Sequence, residues 1–131
     1  MFKVGISGDL LNSENEPCFG NGPLELLKNR EDIEISWMDK TISEITPEMT
    51  SVYDAILLNL PKVNAHSVSN TDCKLKIISR FGVGFDSVDI EAMKRKNIIV
   101  TNTPNAVRRP VAVAALTMIF GLASKIIKKD N

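Results

Sequence analysis

The chain has 131 residues, of which 44% are hydrophobic and 24% are charged, and these values are typical of a single soluble globular domain. Its 16 basic and 16 acidic residues cancel to a formal net charge of zero. Domains that bind nucleic acid usually carry a basic excess, so the charge balance argues against a nucleic-acid partner.

Cysteine usage and hydropathy predict a cytoplasmic protein. Cys18 and Cys73 lack the spacing of metal ligands and are expected to be free thiols in a reducing compartment. The first seven residues lack the apolar core of a signal peptide. The apolar stretch between Arg109 and Lys125 is shorter than the about 20 residues that a membrane-spanning helix needs. We therefore expect no membrane partner.

Short apolar runs alternate with helical segments along the chain. The pattern predicts five strands at 2–7, 33–37, 54–60, 75–79 and 97–101. It predicts helical segments that begin at Pro23 and Pro47 and others at 64–68, 88–96 and 111–127. Continuous apolar strands separated by helices indicate a parallel sheet covered on both faces. The expected fold is therefore α/β, a flavodoxin-like, doubly wound, five-stranded parallel sheet in three layers.

Such a sheet also predicts where a ligand binds, because ligands of open α/β sheets sit outside the carboxyl ends of the strands. Four loops follow predicted strands at that edge: Gly8-Asp9, Asn59-Leu60-Pro61, Gly82-Val83-Gly84 and Asn102-Thr103-Pro104. We expect any small-molecule site to lie among them.

The loop Arg80–Ser87, with the sequence RFGVGFDS, joins the fourth strand to a helix. Its two glycines allow a tight turn that exposes backbone N–H groups, and Asp86 or Ser87 is predicted to cap the helix. Exposed amides beside a helix N-terminus suit a carboxylate, although a Gly-x-Gly turn can also be plain architecture. Ser87 occupies the position of the third glycine of a dinucleotide fingerprint, so the loop is not one.

The segment Leu75–Pro104 resembles the D-isomer-specific 2-hydroxyacid dehydrogenases, including the phosphoglycerate dehydrogenase-like members. The resemblance rests on the turn Gly-Val-Gly-Phe-Asp followed at family spacing by Asn-Thr-Pro. It continues through 105–126, the helix that leads into the nucleotide-binding domain in the family. Residues 54–68 are similar to the family's third strand and the helix that follows it.

The resemblance implies roles for three residues. The amides of Val83 and Gly84 match those that hold the substrate carboxylate, and Val83 also matches a residue beside the nicotinamide. Val111 matches a position that touches the cofactor, NAD or NADP. The family's catalytic Arg, Glu and His and its dinucleotide loop match segments beyond residue 131. We therefore expect residues 1–131 to be a substrate-binding domain that is inactive alone, without catalytic residues or a nucleotide-binding domain.

Two departures from the family pattern leave the particular small 2-hydroxy or 2-keto acid open. Family members often have Glu where this chain has Val113. Leu60 and Pro61 stand where small polar residues are common.

Three further residues were considered for the site. The Arg80 guanidinium can pair with a substrate carboxylate, although a structural ion pair is the favoured interpretation. His66, the only histidine, is expected to be a solvated helix residue rather than a general base. Trp37 is expected to pack in the core or at its edge.

Two hypotheses about function remain open from the residues. The chain is either the substrate-binding part of a dehydrogenase or a module of flavodoxin-like fold that binds a small carboxylate or a protein without chemistry of its own.

The helix 111–127 is apolar on every face until Ser124, so the sheet can cover only one side. The other side is expected to contact a nucleotide-binding domain or the same helix of a second copy.

Overall fold

A computed structural model describes residues 1–129 and confirms the predicted fold class. Five strands form one parallel sheet in the order β2-β1-β3-β4-β5, which is the flavodoxin-like order. The strands are β1 (Phe2–Ile6), β2 (Ile33–Trp37), β3 (Ala55–Leu58), β4 (Ile77–Arg80) and β5 (Ile99–Thr101).

Five α-helices connect or follow these strands, and a 3-10 helix (Gly8–Leu10) follows β1. The α-helices are α1 (Gly22–Lys28), α2 (Pro47–Val52), α3 (Ile90–Arg95), α4 (Arg108–Ala123) and α5 (Ile126–Lys129). None of these helices is both long and apolar enough to cross a bilayer.

Three helix predictions need correction. The segment 64–68 is a hydrogen-bonded turn rather than a helix, because the Asn64 side chain accepts from the backbone of His66 and Ser67. Neither Asp86 nor Ser87 caps α3, since Asp89 precedes it and its Oδ1 accepts from the Ala92 amide at 2.9 Å. The predicted helix 111–127 is two helices, because Lys125 adopts a left-handed φ of 52° that ends the first.

One face of the sheet carries most of the core. Side chains alternate between the two faces of a strand, so Ile56, Leu58 and Ile78 point to the same side. All three are at most 1% exposed, and they pack with Ala92 and Met93 of α3. This side is the well-covered layer of the fold.

The opposite face is only partly covered. Val4 and Ile6 of β1 are buried there with Leu10 and Leu24, the one buried residue of α1. Cover decreases across the sheet from this cluster, and Ile99 on the edge strand β5 is 61% exposed. Helices therefore lie on both faces, as a three-layer fold requires, but the second helical layer stops short of β4 and β5.

Helix α4 does not belong to either layer. None of its 16 residues is buried, and its main contact with another helix or strand of residues 1–129 is with α5, which directly follows it. The expectation that the sheet covers one side of this helix is therefore wrong.

Asp54 joins three strands at the amino edge of the sheet. Its Oδ2 accepts from the Lys3 amide at 3.0 Å, and its Oδ1 lies 3.5 Å from Lys76 Nζ. The Lys3 hydrogen bond, and secondarily Lys76, lower the pKa of the Asp54 carboxyl. A lowered folded-state pKa means that the ionised carboxylate stabilises the fold.

We expect Asp54→Asn to lower the free energy of unfolding by about 1 kcal/mol at pH 7, because it removes a charge-assisted hydrogen bond at a partly solvated position. The contribution is complete above the unfolded pKa of about 3.9 and is lost as the pH falls toward the lower folded pKa. Urea unfolding between pH 7 and pH 3 measures it. Glu31→Gln is the control, because the exposed Glu31 carboxylate accepts no hydrogen bond from residues 1–129. A stability difference between the wild type and the Asp54→Asn variant that stays constant down to pH 3 would contradict the assignment.

Candidate anion site at the carboxyl edge of the sheet

The loops after β1 and β3 are joined by side-chain hydrogen bonds. Asp9 Oδ2 accepts from Asn59 Nδ2 at 2.6 Å and from the Leu60 amide at 3.0 Å. The buried Ser7 hydroxyl accepts from the Asn59 amide at 3.0 Å. These bonds fix Asn59, and its Oδ1 is left to face β4.

Arg80, the last residue of β4, continues this network. Its Nη1 donates to Asn59 Oδ1 at 3.3 Å and to the Phe81 carbonyl. The predicted structural ion pair is wrong, since the ion pairs within residues 1–129 lie elsewhere and Arg80 bonds neutral oxygens. Its positive charge is therefore not neutralised by a contact within the described part of the chain.

Three buried polar atoms near this edge have no hydrogen-bond partner among the described residues: Asp9 Oδ1, Arg80 Nε and Ser87 Oγ. Burying a polar group without a partner costs about 1–3 kcal/mol, so such atoms usually mark a place where a ligand or water completes the set.

The glycine turn follows Arg80. Gly82 has a φ of 145°, a conformation that L side chains rarely adopt, and a Cβ there would lie 3.1 Å from Arg80 Nη1. The Gly82 amide donates to Thr103 Oγ1 at 3.0 Å, and the Gly82 carbonyl accepts from the Thr103 amide at 2.9 Å. The Asn102 side chain donates to the Val83 carbonyl at 2.9 Å. The segment after β5 therefore holds the turn in place through the hydrogen bonds of Asn102 and Thr103.

The amides of Val83 and Gly84 donate to no atom of residues 1–129. A cavity of about 170 Å³ lies next to them, lined by Asn59, Leu60, Arg80, Gly84, Asp86 and Ser87. Free amides on a glycine turn beside a guanidinium without an ion pair can bind a small carboxylate, although Asp86 places one acidic group in the same lining.

The structure brings together most, but not all, of the predicted site residues. Arg80 and Gly84 line the cavity, and Val83 lies in the same loop with its side chain 40% exposed. Val111 lies apart from the cavity on α4 and is 61% exposed. The sequence placed Asp9, Asn59, Asn102 and Thr103 at this edge but gave them no role. The only signal was that each polar residue closely follows a strand.

A larger cavity of about 540 Å³ runs along the free edge of β5, between that strand and α3. Its lining includes the apolar side chains of Ile90, Met93 and Ile99 and none of Gly82, Val83 and Gly84. The smaller cavity is therefore the better candidate for an anionic ligand.

The remaining candidate groups lie outside this site. His66 is exposed in the turn after Asn64, as expected of a solvated residue. Cys18 and Cys73 are free thiols, as predicted. Trp37 is half-buried and stacks on Phe19 at a centroid distance of 6.5 Å, which agrees with packing at the edge of the core.

A parallel sheet in the order 2-1-3-4-5 with helices on both faces defines a flavodoxin-like α/β domain. The model of the family described as D-isomer specific 2-hydroxyacid dehydrogenase, catalytic domain, matches residues 17–117. The chain therefore belongs to the D-isomer specific 2-hydroxyacid dehydrogenase family, which confirms the resemblance seen in the sequence.

Individual relatives agree with this assignment. A glyoxylate reductase of Thermococcus kodakarensis is 28% identical over 109 residues, which are 82% of this chain and 33% of the relative. A D-3-phosphoglycerate dehydrogenase of Synechocystis sp. is 35% identical over 95 residues, which are 72% of this chain and 16% of the relative. The chain thus spans a third or less of the length of these relatives.

A solved structure shows the same fold. The D-isomer specific 2-hydroxyacid dehydrogenase of Lactobacillus delbrueckii ssp. bulgaricus, in an NAD-complexed form, matches with a TM-score of 0.61 at 22% identity. The match covers 95% of this chain and 36% of that chain. At this identity the likeness concerns the fold alone.

The two glycines of the turn should respond differently to alanine. We expect Gly82→Ala to lower the free energy of unfolding by about 1–3 kcal/mol, because it forces a side chain into a disfavoured backbone region and against Arg80. Gly84→Ala is the matched control, since a Cβ there has open space to Asp86 Oδ2 at 4.0 Å. Urea unfolding of both variants measures the difference. Equal stability of the two variants would argue against the positive φ of Gly82.

Proposed function

We propose that residues 1–131 form the substrate-binding domain of a 2-hydroxyacid dehydrogenase and that the turn Gly82–Gly84 holds the substrate carboxylate. The observation that supports this most directly is the pair of unbonded amides of Val83 and Gly84 beside a cavity lined by Arg80. Family membership supplies the class of ligand, a small 2-hydroxy or 2-keto acid.

In the proposed binding geometry, both backbone amides and a side chain contact the carboxylate. The amides of Val83 and Gly84 donate to the carboxylate oxygens, and the Arg80 guanidinium contributes positive charge from the cavity wall. Thr103 and Asn102 already hold the turn by hydrogen bonds, so its backbone loses little conformational entropy when the ligand binds. Leu60, 70% exposed at the rim, lies where the substituent of the acid would approach.

The family's cofactor, NAD or NADP, would receive or supply the hydride when bound. The contribution of this chain is limited to apolar packing, for which the exposed side chains of Val83 and Val111 fit. Residues 1–131 contain no Gly-x-Gly-x-x-Gly loop to cradle its phosphates. The residues described here therefore position the acid rather than the dinucleotide.

An amide titration tests the proposed site. We expect glycolate or oxalate to shift the Val83 and Gly84 amide resonances first, because the free N–H groups point to the bound carboxylate. Affinity should be about millimolar or weaker, because an open site on one domain excludes little water. Glycolamide, neutral and of similar shape, is the control and should leave both amides unshifted. Shifts that avoid this loop would overturn the proposal.

The chain alone should not catalyse the reaction. We expect no NADH consumption with glyoxylate, hydroxypyruvate or pyruvate, because the proposed site contains no histidine and the only histidine is exposed in the 64–68 turn. Absorbance at 340 nm, compared with a heat-denatured sample, measures turnover. Turnover above that control would show that the described residues include a proton donor.

A further inference from the structure

Arg80 donates from only one nitrogen of its guanidinium to the described residues. Its Nη1 donates to Asn59 Oδ1 at 3.3 Å and to the Phe81 carbonyl. Its Nε is buried without a partner, and its Nη2 donates to no atom of residues 1–129. Nε and Nη2 together form an edge that can donate two parallel hydrogen bonds to a carboxylate. The edge that matches a carboxylate is therefore the one left free.

The Arg80 guanidinium lies against the glycine turn. A Cβ on Gly82 would lie 3.1 Å from Arg80 Nη1 and 3.6 Å from Nη2. Arg80 also shares the lining of the small cavity with Gly84. A rotation of the arginine side chain would therefore change the positions of the guanidinium donors relative to the turn amides.

Asn59 can hold the guanidinium in only one orientation of its own side-chain amide. Its Oδ1 accepts from Arg80, while its Nδ2 donates to Asp9 Oδ2 at 2.6 Å. After a rotation of 180° the amide NH2 group would face the guanidinium, and both groups are donors that cannot accept a hydrogen bond. The orientation of the Asn59 amide therefore decides whether Arg80 is held.

Asp9 selects that orientation, because an ionised carboxylate only accepts hydrogen bonds and so requires the NH2 group of the amide. The same Oδ2 accepts from the Leu60 amide at 3.0 Å. Asp9 lies in the 3-10 helix between the buried residues Gly8 and Leu10. A Cβ on Gly8 would clash with the Met38 carbonyl oxygen, so this short helix packs tightly on the segment after β2. The carboxylate is thus attached to a well-held backbone.

We propose that Asp9 is a positioning residue of the anion site: it orients the Asn59 amide, which in turn holds Arg80 with its Nε–Nη2 edge free for a carboxylate. This role rests on the function proposed above for the turn Gly82–Gly84. Asp9 does not line the cavity and acts only through its neighbours. The three residues follow β1, β3 and the end of β4, which are adjacent strands in the sheet.

The charge of Asp9 and its hydrogen bonds have opposite effects on an anionic ligand. A nearby negative charge repels the ligand, so the loss of charge alone would tighten binding. The loss of the hydrogen bonds releases the Asn59 amide and thereby Arg80, so it would weaken binding. Asp9→Asn separates the two effects, because one oxygen of Asp9 accepts both hydrogen bonds and the amide oxygen of asparagine can take its place.

A glycolate titration of the full chain at constant ionic strength, followed through the Val83 and Gly84 amide resonances, measures the effect. We expect Asp9→Ala and Asn59→Ala each to weaken binding about fivefold, the effect of one lost hydrogen bond. The double variant should weaken it no further, because both changes act through the same contact with Arg80. Asp9→Asn should restore the affinity of the wild type.

Asp39→Ala is the matched control. Asp39 follows β2 at the same edge of the sheet, and its Oδ1 also accepts two hydrogen bonds, from the amide and hydroxyl of Thr41. This variant removes the same charge without a contact to Asn59 or Arg80, so glycolate affinity should not weaken. An affinity that Asp9→Ala leaves unchanged or raises would overturn the positioning role. An equal loss in Asp9→Asn and Asp9→Ala would also overturn it, since asparagine keeps both hydrogen bonds.

A measurement without ligand does not depend on the variants folding. In carbon-detected spectra of the wild type, the two Nη atoms of Arg80 should give separate signals, because the hydrogen bonds of Nη1 slow the rotation of the guanidinium. Asp9→Ala should speed exchange between the two signals, whereas Asp9→Asn and Asp39→Ala should not. A single averaged signal in the wild type overturns the positioning role. Far-UV circular dichroism confirms that each variant remains folded.

The wild-type titration separates a failure of this proposal from a failure of the proposed function. If glycolate leaves the Val83 and Gly84 amides of the wild type unshifted, the proposed function is wrong and the role of Asp9 in it falls as well. If the wild type binds glycolate at these amides but Asp9→Ala binds equally well, only the positioning role is wrong.

Discussion

The paired hydrogen bonds between Gly82 and Thr103 hold the glycine turn on which the candidate site depends. The amide and carbonyl of Gly82 are both engaged by Thr103, so the turn is held at a positive φ. The next two amides, of Val83 and Gly84, donate to no atom of the described residues.

The polar network beneath the turn has an energetic consequence. Asp9, Asn59 and Arg80 form a connected chain of hydrogen bonds, yet buried atoms of Asp9 and Arg80 remain unpaired among the described residues. A partly satisfied buried network destabilises a domain, because each orphaned group has lost its water without gaining a partner. Proteins tolerate this cost mainly at functional sites, where a ligand completes the hydrogen bonds. The unpaired Arg80 Nε can donate to an anionic ligand in the small cavity, whereas Asp9 Oδ1 accepts only from a donor such as water.

The unequal cover of the two sheet faces follows from the connectivity. The segments between β2 and β5, which include α2 and α3, pack on one face, and α1 with Leu10 covers only the β1 and β2 side of the other. The helix after β5, α4, has no buried residue and does not complete that second layer. The domain thus has a well-covered hydrophobic core on one face of the sheet and a partly covered one on the other.

The sequence by itself determined the five strands along the chain and their parallel arrangement, because continuous apolar runs separated by helical segments leave few alternatives to a parallel sheet. It also located the turn Gly82–Gly84, since two glycines separated by one residue after a strand allow a tight backbone turn. The cap of α3 is a local feature that the pattern misplaced, since Asp89, rather than Asp86 or Ser87, accepts from the Ala92 amide three residues later. The sequence did not determine that Arg80 bonds Asn59 rather than a carboxylate, or that α4 lies off the sheet. Those features depend on contacts between residues distant in sequence, such as Asn59 with Arg80 and Gly82 with Thr103. Local pattern carries no information about such contacts, so only the tertiary structure could decide them.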